Sequence, residues 1–236
     1  WKPALEQSGI NLVDFGSFFS QILMPKDAKE VALIKKSANF TIAMMRKGFI
    51  EKIEDVIEEE KKVSHTKICG SLDRFLDDEE VMNAWGKQYS FDPAWVDLEF
   101  SQLQSGQQFD LRPGIPPNKE NLDQSCVIAA LSSKVREYRT GIARTFIVDA
   151  TAEQKEIYRH VLAAMEFLVG QIKPGATLGE LHGKTLDFLE TSCKDANVNI
   201  GESAVKNFGH VLGLEWKDSN GVIKPGNTTT ILPGMA

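Results

Sequence analysis

Four histidines, three cysteines and a run of arginines are the side chains whose chemistry must be decided first. His65, His160 and His182 sit in helix-like patterns, where an imidazole is ordinarily a surface or packed group. His210 differs. It stands in Gly209-His210-Val211-Leu212-Gly213-Leu214-Glu215-Trp216, a strand-like stretch rich in glycine. Glycine beside a polar strand residue lets a ligand approach the backbone closely, and a bulge accounts for the same glycines equally well. Arg136, Arg139 and Arg144 fall close together along one segment. They could form a cationic rim for a carboxylate or a backbone carbonyl. Alternation along a strand, with Arg136 and Arg139 in water, explains the spacing better. Cys69, Cys126 and Cys193 are odd in number, far apart and lack a Cys-x-x-Cys pair, so a reducing compartment is expected rather than a disulfide scaffold or a zinc knuckle. Gly-x-Gly-x-x-Gly, P-loop, His-Glu-x-x-His and Gly-x-Ser-x-Gly motifs are all missing, which lowers the odds of an enzyme.

The chain that must position these groups has 236 residues, enough for one or two domains. Hydrophobic residues make up 42% and charged residues 25%, a balance that excludes a mainly disordered, collagenous or coiled-coil chain. The net charge of −6 argues against a chain-wide footprint for duplex DNA and suits a basic partner. No apolar run has the ~18–20 residues of a membrane span, and Trp1-Lys2-Pro3 does not open a signal peptide. With no initiator Met and an abrupt stop at Pro233-Gly234-Met235-Ala236, the sequence reads as a fragment of a longer protein.

Residues 1–26 mix a short apolar segment, Ile10 to Phe15, with a Phe/Leu-rich stretch. Asp27 and Glu30 are spaced as a capping box, and Val31, Ile34, Ala38, Ile42, Met45, Phe49 and Ile53 then recur in steps of three and four. That predicts one long helix, with Gly48 as an irregularity. Ser64 can cap a second helix carrying Ile68, Leu72, Phe75 and Leu76. Residues 77–97 are left unassigned. Residues 98–131 read as strands broken by turns, with Cys126–Leu131 a buried strand, and Tyr138–Val148 is a further strand. The order then repeats. Thr151 opens a helix through Ile157, Val161, Met165 and Leu168. Thr177 and Glu180 cap another, with Leu178, Leu181, Thr185, Phe188 and Leu189 inward, and strand-like pieces follow around 205–217 and 221–232. A doubled αα-ββ plan predicts two half-domains that pack their sheets into one curved, mainly antiparallel sheet with helices outside.

Four motifs in consistent order carry a family resemblance. Gly141-Ile142-Ala143-Arg144-Thr145-Phe146 with Val148-Asp149, Lys173-Pro174-Gly175, Gly209-His210-Val211-Leu212-Gly213 and Leu232-Pro233-Gly234-Met235 resemble segments of the pita-bread metallopeptidases, the methionine aminopeptidase, aminopeptidase P, prolidase and creatinase group. The resemblance implies an α/β (α+β) pita-bread domain over 27–236, short of its last strand or strands, with 1–26 the end of a preceding lobe. Those enzymes hold two metal ions with paired aspartates eleven residues apart, glutamates and a histidine. The aspartate positions fall on Ala130 and Gly141, which offer no ligand atom. The ligand histidine is retained as His210. A substrate-binding histidine seven residues on falls on Lys217, the segment 90–130 has no histidine, and the first ligand glutamate would lie past Met235.

A peptidase fold without the peptidase resembles one branch of this group, the peptidase-like N-terminal region of the large subunit of the FACT histone chaperone. Lys26-Asp27-Ala28-Lys29-Glu30-Val31, Leu103-Gln104-Ser105-Gly106, Ile142-Ala143-Arg144-Thr145-Phe146 and Lys206-Asn207-Phe208-Gly209 carry the likeness, from which His210 departs because an aromatic is common there. It implies a non-catalytic module with no metal and no cofactor. Its partners would be core histones and their tails, the small FACT subunit through other domains, and replication or transcription proteins. It implies a nuclear, chromosomal location with no membrane and no sequence-specific DNA contact. His210, Lys217, Arg144 and Gly141 are the candidate cleft residues for an extended tail. An active metalloaminopeptidase or creatinase-like hydrolase and a purely structural docking scaffold are the rival readings.

Overall fold

The computed structural model describes residues 2–9, 15–106, 108–200 and 206–236. The apolar piece at Ile10–Asp14 lies outside them, as does the first residue of the strand-like stretch from 205. Two short helices, α1 (Lys2–Gln7) and α2 (Gly16–Leu23), precede the main body.

The long helix begins where the sequence places it. The Asp27 carboxylate accepts the Lys29 and Glu30 amides, and Glu30 accepts the Asp27 amide in return, so three orphan donors are satisfied. α3 (Ala28–Ala43) runs into a π-helical segment (Met44–Ile50) and on into α4 (Glu51–Glu58). The irregularity expected at Gly48 is this π segment. A Cβ on Gly48 would collide with Leu72 Cδ2, so any larger residue would force the buried Leu72 side chain to move. The buried stripe is not quite the one read from apolar spacing. Ile34, Met45, Phe49 and Ile53 are buried, whereas Val31, Ala38 and Ile42 are only partly covered, and Ser37 and Thr41 take the central places.

Ser64 caps α5 (His65–Asp77) by accepting the Lys67 amide, and Ile68 and Leu72 are wholly buried. Fully burying an aliphatic side chain of that size stabilises by about 1.5–3 kcal/mol. The unassigned stretch contains α6 (Glu79–Tyr89), capped by Asp78 and ended by Ser90 in the left-handed region. β1 (Val96–Ser105), β2 (Val127–Val135) and β3 (Tyr138–Phe146) form an antiparallel sheet in that order. α3 lies on β2 and β3, and α5 lies on β1. Leu103, Val127, Ala129 and Leu131 face these helices and are fully buried. The other face carries the alternate residues, Phe100, Gln102, Ala130, Ser132, Gly141 and Ala143, which the strand register aligns.

The second half starts with α7 (Ala152–Gln171) and α8 (Leu178–Asp195), packed together and each opened by a capping box, Thr151 with Gln154 and Thr177 with Glu180. Leu178, Leu181, Thr185 and Leu189 point inward as expected, whereas Phe188, expected with them, is only partly buried and stacks on Phe167. On α7 the expectation fails in part: Ala164 and Leu168 are buried, while Val161 and Met165 are exposed. The strand-like pieces reduce, among the described residues, to a two-residue ladder between β4 (Gly209–His210) and β5 (Val222–Ile223) and an isolated bridge of Thr230 to Thr177. The connection between them folds as an irregular loop pinned by Val211 N–H to Gly221 O (2.8 Å) and Asp218 N–H to Val211 O (3.0 Å).

Candidate functional site

The site lies on the helix-free face of the sheet. Ala130 pairs with Ala143 and Gly141 with Ser132, so Ala130 and Gly141 are diagonal neighbours on one face. Side chains so related stand roughly 7–8 Å apart, a separation at which two carboxylates could hold a metal pair between them. Here one position ends in a methyl group and the other in a hydrogen.

The space is filled from the β4–β5 loop. A Cβ built on Gly141 would fall inside Trp216, overlapping Cη2 and Cζ3 and lying 3.2 Å from Cζ2. The indole stands edge-to-face against Phe100 (centroids 5.4 Å apart, 77°) and against His210 (5.8 Å, 65°). Its Nε1 is buried with no hydrogen-bond partner among the described residues. Arg139 holds the loop in place. Its amide donates to Gly213 O at 2.7 Å and its guanidinium donates to Leu214 O. Its Nε donates to Glu99 Oε1 at 2.6 Å, and Glu99 Oε2 accepts Ser132 Oγ at 2.8 Å. The expectation that Arg139 stands free in water is therefore corrected, since its guanidinium is held by Glu99 and the Leu214 carbonyl and its side chain is less than a quarter exposed. Arg136 does stand exposed, with its guanidinium 3.5 Å from the centre of the Trp95 ring.

His210 is half-buried, and burial pushes its imidazole below the ordinary range. The nearby Lys217 charge adds to that, and a hydrogen bond to the Val211 carbonyl opposes it. Lys217 is exposed immediately beyond Trp216. Arg144 pairs with Ala129, so it belongs to the opposite face of β3 from Gly141, and its Nη1 donates to Ala143 O. The structure thus gathers Gly141, His210 and Lys217 around Trp216 and leaves Arg144 outside the group.

The metal pair of the pita-bread enzymes does not fit these residues. Ala130 and Gly141, the positions that the resemblance assigns to ligand aspartates, offer no carboxylate, and an aromatic ring occupies the volume an aspartate at 141 would need. Trp216 is the site residue that reading from motifs passes over. The available signal was volume: two positions shrink to Ala and Gly while the largest side chain stands six residues after the retained histidine.

Residues 32–236 match the sequence profile of metallopeptidase family M24. The chain belongs to that family. The M24 domain is 32% identical over its whole length to "FACT complex subunit SPT16" of Zea mays and 29% identical to the protein of the same name from Oryza sativa. It spans about a fifth of the length of these curated relatives, 22% in each case. Among solved structures it resembles the N-terminal domain of FACT complex subunit SPT16 from chickpea, with a TM-score of 0.86 and 28% identity, over 100% of this chain and 54% of that one. Dipeptidase PepE from Mycobacterium ulcerans, with a TM-score of 0.71, 19% identity and coverage of 99% and 56%, shares the fold. The pita-bread fold expected from the motifs is the fold found, and the relatives carry the FACT name that the second set of motifs pointed to.

Proposed function

We propose that this M24 domain is a non-catalytic, peptidase-like module of a FACT-type histone chaperone, binding core histones and their tails during nucleosome reorganisation in transcription, replication and repair. The observation that carries the non-catalytic half is the indole of Trp216 lying where a ligand carboxylate at 141 would stand. The histone half is supported by the SPT16 relatives and by the net charge of −6, which favours encounter with a basic partner. In this reading residues 1–26 end a preceding lobe, and 27–236 form the peptidase-like domain. The cleft beside His210, Lys217 and Gly141 receives an extended tail, whereas Arg144 serves from outside it. The small FACT subunit is met through other domains, and no cofactor is needed. The site of action is the nucleus, on the chromosome. No helix among the described residues is long and apolar enough to cross a membrane.

The test is calorimetry with intact and tailless core-histone complexes over a salt series, with His210→Glu and Lys217→Glu as cleft variants. Expected are intact histones bound without cleavage, weaker binding as salt shortens the Debye length to ~8 Å at 0.15 M, and changed tail affinity in both variants, with thermal stability unaltered in Lys217→Glu, whose site is exposed. Equal binding of tailless histones with no response to either substitution would remove the cleft from the account.

A further inference from the structure

The contacts of Trp216 carry a consequence independent of what the domain binds. Its ring is partly buried, packs edge-to-face against Phe100 and His210, and lies over the bare Cα of Gly141. These three residues come from β1, β4 and β3, so the ring joins the three-stranded sheet to the second half of the fold. The walls are flat or small, as a planar aromatic requires. They offer the indole N–H nothing, since Nε1 has no partner among the described residues. Recognition here is therefore of shape and apolar surface, and not of a polar edge. The ring arrives on an irregular loop whose ties to the sheet are the Arg139 amide and guanidinium bonds to Gly213 and Leu214.

We propose that the face of β3 at Gly141 is a binding slot for a planar aromatic group, and that Trp216 is its intramolecular ligand. The seated indole cross-links the two halves. Any external group that enters must be flat and apolar and must displace this indole. Gly141 is the residue that creates the slot, because any side chain there closes it.

Chemical complementation tests this on the whole chain. Trp216→Gly should lower the thermal midpoint by several degrees. Free indole at millimolar concentration should raise the midpoint of Trp216→Gly and leave wild type unmoved. Gly141→Ala should lower the midpoint of wild type but not that of Trp216→Gly, and the double variant should lose the response to indole. Should Trp216→Gly fail to fold, Trp216→Phe replaces it, since a phenyl ring falls short of the Gly141 Cβ position. The Gly141→Ala penalty should then shrink. Indole acting equally on wild type and Trp216→Gly, or on neither, or a Gly141→Ala penalty of the same size whatever stands at 216, overturns the proposal. None of these readouts involves histones, so their failure leaves the chaperone reading intact, and loss of histone binding leaves the slot intact.

Discussion

Arg139 and Glu99 are paired across the sheet at 2.6 Å, with both side chains less than a quarter exposed, and through this pair β1 and β3 grip the loop that carries Trp216. Exposed ion pairs contribute about 0–1 kcal/mol, whereas removing one partner of a fully buried pair costs about 3–5 kcal/mol. The intermediate exposure puts Arg139→Met at roughly 1–3 kcal/mol by interpolation between those limits. Glu99→Gln, which keeps an acceptor for Ser132, should cost less. Urea unfolding of both variants measures this, and a smaller cost for Arg139→Met than for Glu99→Gln would mean that the guanidinium does not hold the loop.

A second prediction concerns hydroxyls buried under α3. Thr41 Oγ1 lies 2.6 Å from Ser133 Oγ and 2.9 Å from Thr140 Oγ1, and Ser37 Oγ lies 2.8 Å from Thr140 Oγ1, all of them buried. Thr41→Val keeps the shape and strands these partners, so it should cost about 1–3 kcal/mol. Ile34→Ala, 8% exposed on the same helix, should cost about 2–5 kcal/mol. A neutral Thr41→Val in denaturant unfolding would mean that the network adds nothing to the apolar contacts around it.

These hydroxyls also show how far the sequence could be read. Asp27, Ser64, Thr151 and Thr177 were legible as caps because a cap depends only on residues within one turn. Gly48 was legible as a break for the same reason. Ser37 and Thr41 were not, because a polar side chain in a helix signals water unless its partners are known, and here they lie about ninety or more residues away. The site divides in the same manner. Ala130, Gly141 and His210 could be placed by motif spacing. Trp216 could not, since its role arises only when the β4–β5 loop folds back onto β3. Arg144 was misgrouped because a motif carries no record of which face of a strand each residue takes.

The histidine yields a prediction with a definite sign. Burial, aided by Lys217, keeps the folded pKa of His210 below its ordinary 6.5. The unfolded chain therefore takes up the proton first as pH falls. Stability from this group is complete above about pH 6.5 and declines as pH drops from there toward the folded value. His210→Phe retains an aromatic partner for Trp216 and removes the titration. Between about pH 7.5 and 5.5, spanning the unperturbed value, wild type should lose more stability than the variant, as read by unfolding midpoints in matched buffers. Parallel curves would show that His210 does not titrate differently on folding.

The cysteines are free thiols. Burial pushes Cys69 up to about 11, with nearby Ser101 opposing only in part. A thiolate is the reacting species, so Cys69 should resist alkylation at neutral pH until the domain unfolds. Cys126, immediately before β2 and partly exposed, should react first. Mass-spectrometric mapping of alkylated sites over time checks the order, and labelling of Cys69 as fast as Cys126 would indicate that the α5–β1 contact opens readily.

The last prediction asks whether the lost aspartates alone explain the chemistry. Ala130→Asp with Gly141→Asp restores two carboxylates at diagonal positions on one face of the sheet, with His210 nearby. Hard oxygen ligands and an imidazole are the donors that manganese or cobalt would need. Yet the new side chain at 141 has to enter volume held by Trp216, and charged oxygens pressed against an indole pay desolvation with no cation to offset it. The double variant is therefore expected to be destabilised and to hold no more manganese after dialysis than wild type, and to release no amino acid from N-terminal or Xaa-Pro peptides. Adding Trp216→Gly removes the obstruction, and manganese binding should rise above both. Metal analysis and calorimetry on the three proteins decide the order. If the double variant binds manganese as well as the triple, the indole is no barrier, and the loss of two carboxylates would suffice to account for a silent site.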